Sequence, residues 1–378
     1  MSNKLSKTVF VAMSGGVDSS VAALLLKKQG YDVVGVFMRC YNLDGCAERD
    51  AEDARRVAEH LKIPFYTWDF KKEYKDRVVD YMVRGYRAGL TPNPDVMCNR
   101  EIKFGLFLDK ARAMGADYIA TGHYVRLEKK RHSVSHFSRS AKSAWPINAL
   151  YSARDTNKDQ SYFLWSLTQN DLKYCLFPLG KLLKPEVRKI AARAGLPTAA
   201  KKDSQGICFL GKVSVEDFLK EYIPARRGDI VTVTGEKIGE HEGAYFYTIG
   251  QRHGLNLQQK NRLLGVHGNI DTKANYVAAK DIKKNKLVVA EGEFNEALFH
   301  KKISLVEMNF ISPRPGANSE VSAMARVRYR QPLGKAILKV RGKKGTLTFA
   351  VPQKFVAEGQ SAVWYSKAGE MLGGGIIA

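Results

Sequence analysis

The chain has 378 residues, length enough for two or three domains with their own cores. Its 61 Lys and Arg stand against 38 Asp and Glu, a net charge of +23, while 44 % hydrophobic residues is ordinary for a globular protein. This composition argues against a disordered or membrane-spanning chain and points to a polyanionic partner, most simply nucleic acid.

The first apolar run, residues 8–13 (TVFVAM), predicts a buried strand. It feeds directly into Ser14-Gly15-Gly16-Val17-Asp18-Ser19-Ser20, and a helical pattern follows to Gly30, placed as its C′ residue. Strand, Gly-rich turn and helix start present several free N–H groups at the positive end of a helix dipole, which suits a phosphate. Gly15 and Gly16 permit close backbone approach, and the hydroxyls of Ser14, Ser19 and Ser20 add donors. Asp18 is out of place in an anion nest, unless it holds a divalent cation riding on the phosphates or caps the helix. The loop carries neither G-x-x-x-x-G-K-[ST] nor G-x-G-x-x-G.

Strands are predicted at 31–39, 63–70 and 117–125, and helices at 48–61, 74–88 and 100–114. This βαβα alternation predicts a doubly wound parallel sheet with ligands at the carboxyl ends of its strands. The loop at 14–20, Met38 and Gly122-His123 all fall there. Residues 128–150 are polar and basic and read as a surface insertion. His132 and His136 in it read as solvated loop histidines rather than a metal pair. Helices are predicted at 158–167, at 185–196 with Pro185 at its start, and at 213–223 with Ser214 as N-cap. Beyond about residue 205 short β-like runs alternate with Gly-rich turns, the texture of a small barrel. The predicted domains are 1–204, a central linking unit at 205–272 and a barrel at 273–378. The last 78 residues hold 13 Lys and Arg against 4 Asp and Glu. Arg326, Arg328 and Arg330 alternate as one strand face would, which suits phosphate contact.

The five cysteines are scattered and show no C-x-x-C pair, as in a reducing compartment. The N-terminal stretch reads as no signal peptide, which predicts a cytoplasmic protein without a membrane anchor. Cys175 reads as a core residue, as do Cys40 and Cys46. Cys98 lies in TPNPDVMCNREIKF, a proline-stiffened loop, with a helix predicted to start at Asn99 and lay its dipole near the thiol. Cys208 lies in KKDSQGICFLG, beside Lys201 and Lys202, where positive charge favours thiolate.

SGGVDSS resembles the loop of the PP-loop ATP pyrophosphatases, which cleave ATP between the α and β phosphates to adenylate a substrate. SGGVDSS, NPDVMCNREIKF, GHY, NKDQSYFL, KKDSQGICFLG and YTIGQRHGL, in that order, resemble the tRNA-specific 2-thiouridylases across essentially the whole chain. That resemblance implies a PP-loop nucleotide domain, a small central domain and a C-terminal β-barrel. It implies an enzyme that uses ATP with Mg²⁺ to replace the C2 oxygen of the wobble uridine of tRNA by sulfur.

Carried over by position, Ala12, Met13, Ser14, Gly15, Gly16, Val17, Asp18 and Ser19 would hold ATP, with Met38 and Gly122 touching the nucleotide. Cys98 matches the nucleophile and Cys208 the persulfide carrier, with Asp95 a proton shuttle. Asn93, Pro94 and Asp95 match the segment that meets the target base. His123, Lys158, Asp159, Gln160, Arg328, Tyr329 and Gln331 match tRNA-contact positions. A cysteine desulfurase or sulfur-relay protein would supply the sulfur, and a Cys98–Cys208 disulfide is one expected outcome of its release. The competing readings are a PP-loop amide or amidine synthetase, which needs no cysteine pair, and a basic RNA-binding protein whose Gly loop is only structural.

Overall fold

A computed structural model of the chain describes residues 6–41, 45–132, 145–203, 213–257, 273–316 and 318–378. Its N-terminal layer is a five-stranded sheet in the order Phe65–Asp69, Asp32–Arg39, Thr8–Ala12, Tyr118–Ala120 and Cys175–Leu176, parallel throughout. Burial on both faces accounts for the unbroken apolar runs. Val9, Val11 and Phe37 pack to one side with Val21 and Leu24 of the helix Val17–Lys28, Val57 of Cys46–Leu61 and Val187 of Lys184–Arg193. Phe10, Ala12 and Val36 pack to the other with Trp68, Met82 and Phe107. Strand order turns back at Thr8–Ala12, so the loop after that strand opens at a topological switch point.

Several predicted helices take other forms. The one predicted at 74–88 is Lys71–Tyr74 followed by the π-helical Lys75–Val79 and the α-helical Asp80–Arg87. The stretch predicted as a helix from 158 is a loop and one 3-10 turn, Ser161–Leu164. There the Asp155 and Asp159 carboxylates accept N–H groups of Asn157 and Ser161, each at 3.1 Å, and so stabilise turns over helix. The stretch at 128–150 is not a surface insertion where it is described. Arg126–His132 and Trp145–Tyr151 pair antiparallel and join the barrel wall at Tyr151 and Glu370. Its second strand buries Ile147, Ala149 and Leu150. His136 lies outside the described residues.

The second layer is a four-stranded sheet in the order Asn275–Asp281, Lys286–Glu291, Gly228–Thr232 and Lys237–His241. Residues 275–291 share the short-strand texture of the barrel but pair with 228–241. Ser214 caps the helix Val215–Lys220, accepting the Asp217 N–H at 3.0 Å.

The C-terminal barrel runs Phe299–Phe310, Lys344–Lys354, Gly334–Arg341, Glu320–Arg326, Ser361–Tyr365 and Glu370–Ile377, and the last strand pairs back to the first. Ile303, Leu305, Ala325, Leu338, Leu347 and Trp364 fill it. Gly374 lets the barrel wall meet the first domain, because a Cβ there would lie 2.4 Å from the Trp165 ring. The Trp165 indole donates to Ser361 Oγ at 2.9 Å and the Tyr162 hydroxyl to Ser361 O at 2.8 Å, joining domains through buried, satisfied polar groups. Among the described residues no helix is long and apolar enough to cross a membrane.

Candidate active site

The loop at 14–20 is built by two local demands. Gly15 has φ +72°, and a Cβ on it would lie 2.2 Å from the Asp50 carbonyl oxygen, so conformation and space both require glycine. Gly16 is the N-cap of Val17–Lys28 in extended conformation, with no side-chain cap, which leaves the first N–H groups of the helix for a ligand. Ser19 Oγ accepts the Ser14 N–H at 3.1 Å and lies 3.3 Å from Ser14 Oγ, which holds the loop closed on itself. The expected nucleotide residues converge here. Ala12 and Met13 end the strand, and a Cβ on Gly122 would lie 2.7 Å from the Ser19 nitrogen. Met38 ends the neighbouring strand.

Asp18 does not cap the helix. Its carboxylate accepts the Lys184 ammonium at 2.7 and 2.8 Å and the Tyr124 hydroxyl at 2.9 Å. Lys184, the first residue of Lys184–Arg193, is buried and also lies 2.9 Å from Asp203. No cluster of three metal-ligating side chains exists among the described residues. The Asp18 carboxylate is taken up by the ammonium and the phenol, and it is the one carboxylate of the loop that could meet Mg²⁺, which takes one or two carboxylates and completes its shell with substrate phosphates and water.

Cys98 sits differently from the sequence expectation. The helix begins at Pro94, not Asn99: Asn93 caps it by accepting the Val96 N–H at 3.2 Å, and Pro94 suits its first turn. Pro94–Cys98 runs on through the π-helical Asn99–Leu106 into Phe107–Ala113. Cys98 is therefore buried inside a helical run, past the N-terminal turn where a dipole acts most strongly. Asp95 sits in the first turn, and burial pushes its carboxyl up from the ordinary carboxylate range against the opposing charge of Lys103. A carboxyl so placed can hold a proton closer to neutrality, as a shuttle requires.

His123 links the two features. It follows Gly122, and its ring lies 5.9 Å from Phe104, six positions beyond Cys98, and 6.4 Å from Phe177. Burial holds its imidazole neutral, well below the usual histidine range, and the nearby Lys103 charge acts the same way. Thr121 Oγ1 lies 2.7 Å from its Nδ1. The nucleotide loop thus reaches the Asn93–Cys98 segment through Gly122, His123 and Phe104.

The remaining expected residues are spread over the face where the first domain meets the barrel. Asp159 is buried in an ion pair with Arg326 at 2.7 Å and also accepts the Ser161 hydroxyl. Gln160 Oε1 accepts the Tyr124 N–H at 3.0 Å, and Lys158 pairs with Asp203 at 2.6 Å. The Tyr329 ring lies tilted against Phe163 at 4.5 Å, and the Phe163 carbonyl accepts the Asn99 side chain at 3.2 Å. Arg328 lies over Phe355 at 6.0 Å, and Gln331 Oε1 accepts the Val327 N–H at 3.1 Å. Arg326, Arg328 and Arg330 do not share a strand face. The strand ends at Arg326, which is turned inward, and Arg330 has φ +64° in the turn beyond. Cys208 lies outside the described residues. Cys175 is buried, with its thiol pushed well up by desolvation and donating to the Asp171 carbonyl, an inert core cysteine as expected.

Lys184 carries no local sequence signal, and Tyr124 and Asp203 lie in the GHY and KKDSQGICFLG motifs with nothing local to single them out. They are found only through contacts spanning up to 166 positions.

The comparisons with known proteins follow this architecture. Three family models match in series: a tRNA methyl transferase HUP domain over residues 7–212, a tRNA methyl transferase PRC-barrel domain over 216–291, and an aminomethyltransferase beta-barrel domain over 300–377. The tRNA-specific 2-thiouridylase MnmA of Streptococcus thermophilus (strain CNRZ 1066) is 47 % identical, covering 98 % of this chain and 95 % of the relative. The chain belongs to the tRNA-specific 2-thiouridylase family. A second member, from Streptococcus agalactiae serotype III (strain NEM316), is 46 % identical over 100 % of this chain and 96 % of its own length. Among solved structures, a 4-thiouridine synthetase–RNA complex with bound ATP aligns at TM-score 0.34 and 18 % identity, covering 58 % of this chain and 50 % of that one.

Proposed function

We propose that the protein is an ATP-dependent tRNA 2-thiolation enzyme acting on the wobble uridine. The reading is carried by one observation: the phosphate-type loop at 14–20 and the Asn93–Cys98 helix are joined through Gly122, His123 and Phe104. An adenylating loop packed, through Gly122 and His123, against the helical run that carries Cys98 suits activation followed by sulfur transfer. Membership in the 2-thiouridylase family supports the same assignment.

In this reading the free N–H groups of the loop hold the phosphates of ATP. The C2 oxygen of the uridine attacks the α-phosphorus, the bond to pyrophosphate breaks, and the ring carries an adenylate leaving group. The terminal sulfur of a Cys208 persulfide then attacks C2. The C2–O bond breaks and AMP departs with the oxygen. Cys98, as thiolate, attacks the Cys208 sulfur. The thiocarbonyl is released, and the resulting disulfide needs two electrons from a dithiol before the next turnover. Asp95 moves the proton at the base, and Asn93 and Pro94 frame it. The base leaves its stack to reach the pocket. His123, Lys158, Asp159, Gln160, Arg328, Tyr329 and Gln331 belong to the tRNA face, with Asp159 acting through Arg326. A cysteine desulfurase or relay protein loads Cys208, and the setting is cytoplasmic.

The test is turnover of ATP to AMP and pyrophosphate with unmodified tRNA, a persulfide donor and Cys208→Ser as comparison. The native protein makes 2-thiouridine and Cys208→Ser does not. Unaltered product from Cys208→Ser would sink the persulfide reading in favour of another adenylating synthetase. No tRNA-dependent AMP at all would favour a binding module.

A further inference from the structure

Residues 198–203 form a short strap over the nucleotide site, pinned at four places. Thr198 Oγ1 donates to Ser20 Oγ at 3.0 Å, on the first helix. Lys201 pairs with Asp50 at 2.7 Å and Asp53 at 2.6 Å, on the second. Arg188 donates to the carbonyls of Ala199 and Lys201 at 3.1 and 3.0 Å. Asp203, at the end of the strap, receives Lys158 at 2.6 Å, Arg188 at 2.7 Å and Lys184 at 2.9 Å. Lys184 in turn holds Asp18, in the loop that opens the first helix. One buried ammonium therefore bridges a carboxylate of the nucleotide loop and a carboxylate of the strap. Cys208 follows five positions later in the chain.

The bridge also answers why an aspartate stands in a phosphate-type loop. Asp18 is a tether, and its charge is cancelled by Lys184 rather than aimed at the ligand. Burial would raise the Asp203 carboxyl, but the Lys158 and Lys184 hydrogen bonds outweigh it and hold it at about 2. Asp203 is thus ionised throughout the neutral range.

We propose that Lys184 and Asp203 are positioning residues that couple ATP cleavage to sulfur transfer, by fixing the strap that precedes Cys208 against the nucleotide loop. The proposal rests on Cys208 being the sulfur carrier. Removing Asp203 leaves Lys184 still paired with Asp18, so the loop keeps its tether while the strap loses its own. Adenylation then continues and sulfur delivery falls behind, because a misplacement of about 1 Å costs on the order of a hundredfold in an oriented step; water then attacks C2 of the waiting adenylate in place of sulfur, the C2–O bond to AMP breaks, and AMP leaves with uridine restored.

The experiment uses the full chain with unmodified tRNA, ATP and a cysteine desulfurase with cysteine as persulfide source. AMP and 2-thiouridine are counted in the same reaction. Native protein gives close to one AMP per 2-thiouridine. Asp203→Asn is expected to release AMP within about threefold of the native rate while making roughly tenfold less 2-thiouridine per AMP, and Asp203→Glu is expected to recover much of that ratio. A purely structural role would lower both products together and leave the ratio at the native value. That result, or no change in either, would overturn the proposal. Cys208→Ser run alongside separates the cases: 2-thiouridine from that variant would overturn the sulfur-carrier reading itself, whatever Asp203→Asn does.

Discussion

Around the nucleotide loop the charged side chains are paired across long sequence distances: Asp18 with Lys184, Asp203 with Lys158, Lys184 and Arg188, and Lys201 with Asp50 and Asp53. On the barrel the pattern splits. Arg326 is spent inward on Asp159, whereas Arg330, four positions later, is exposed in a turn with its guanidinium over the Tyr329 ring at 5.3 Å. One region uses charge to fix its own geometry. The other uses one arginine to dock domains and leaves a neighbour exposed. Arginines four residues apart in sequence therefore sit in different environments, and substitutions should separate them.

The largest effect is expected within the catalytic segment. Cys98→Ser should lower 2-thiouridine formation by about a thousandfold or more, as loss of a nucleophile does, with the fold intact by thermal melting. Wild-type rates of product from that variant would remove Cys98 from the chemistry.

Next is the domain joint. Arg326→Met leaves the Asp159 charge buried without its partner, and breaking such a pair costs about 3–5 kcal/mol. The melting temperature should fall by several degrees, and the effect should appear without tRNA present. A melting curve unchanged from native would mean that the pair does not hold the barrel.

A smaller effect separates docking from binding. Arg330→Ala should leave the melting temperature unchanged, weaken tRNA binding across sequences, and reduce the slope of log K against log salt by about 1. An unchanged salt slope would make Arg330 a solvated side chain.

The smallest is a pH effect in the first domain. His123 is held neutral in the fold, its pKa well below the 6.5 of an open histidine. Below that value the unfolded chain binds a proton that the folded chain does not, so stability falls as the medium is made more acid than pH 6.5. A His123→Gln variant should show a flatter decline in denaturant midpoint between pH 7 and roughly pH 5.

The same contrast explains what was legible in the sequence. The loop at 14–20 could be read because its determinants are contiguous: a buried strand, two glycines and a helix start follow without a gap. The doubly wound sheet could be read for the same reason, since its central strands Thr8–Ala12 and Asp32–Arg39 are largely apolar runs, whereas the two-residue edge strand Cys175–Leu176 is too short to leave a signal. The local structure around Cys98 differs from the sequence expectation of a loop with a helix from Asn99. Two prolines suggested a loop, whereas Asn93 and Pro94 cap a helix that starts there. The strand pair flanking 133–144 was hidden because its first strand, Arg126–His132, is mostly charged and follows no alternation, while the short apolar Trp145–Tyr151 stands at the end of a polar stretch. Arg326 looked like its neighbours and differs from them only through Asp159, 167 positions away. Lys184 is an ordinary helix-start lysine until Asp18 and Asp203 are seen beside it.

The central claim is that loop and thiols serve one reaction, in which the uridine oxygen is activated by ATP before sulfur replaces it. It is tested most directly with tRNA carrying ¹⁸O at C2 of the wobble uridine, incubated with the protein, ATP and a persulfide donor, followed by mass spectrometry of both products. The account predicts 2-thiouridine without the label and AMP carrying one ¹⁸O in its phosphate. Label appearing in water or free phosphate, with unlabelled AMP, would contradict it.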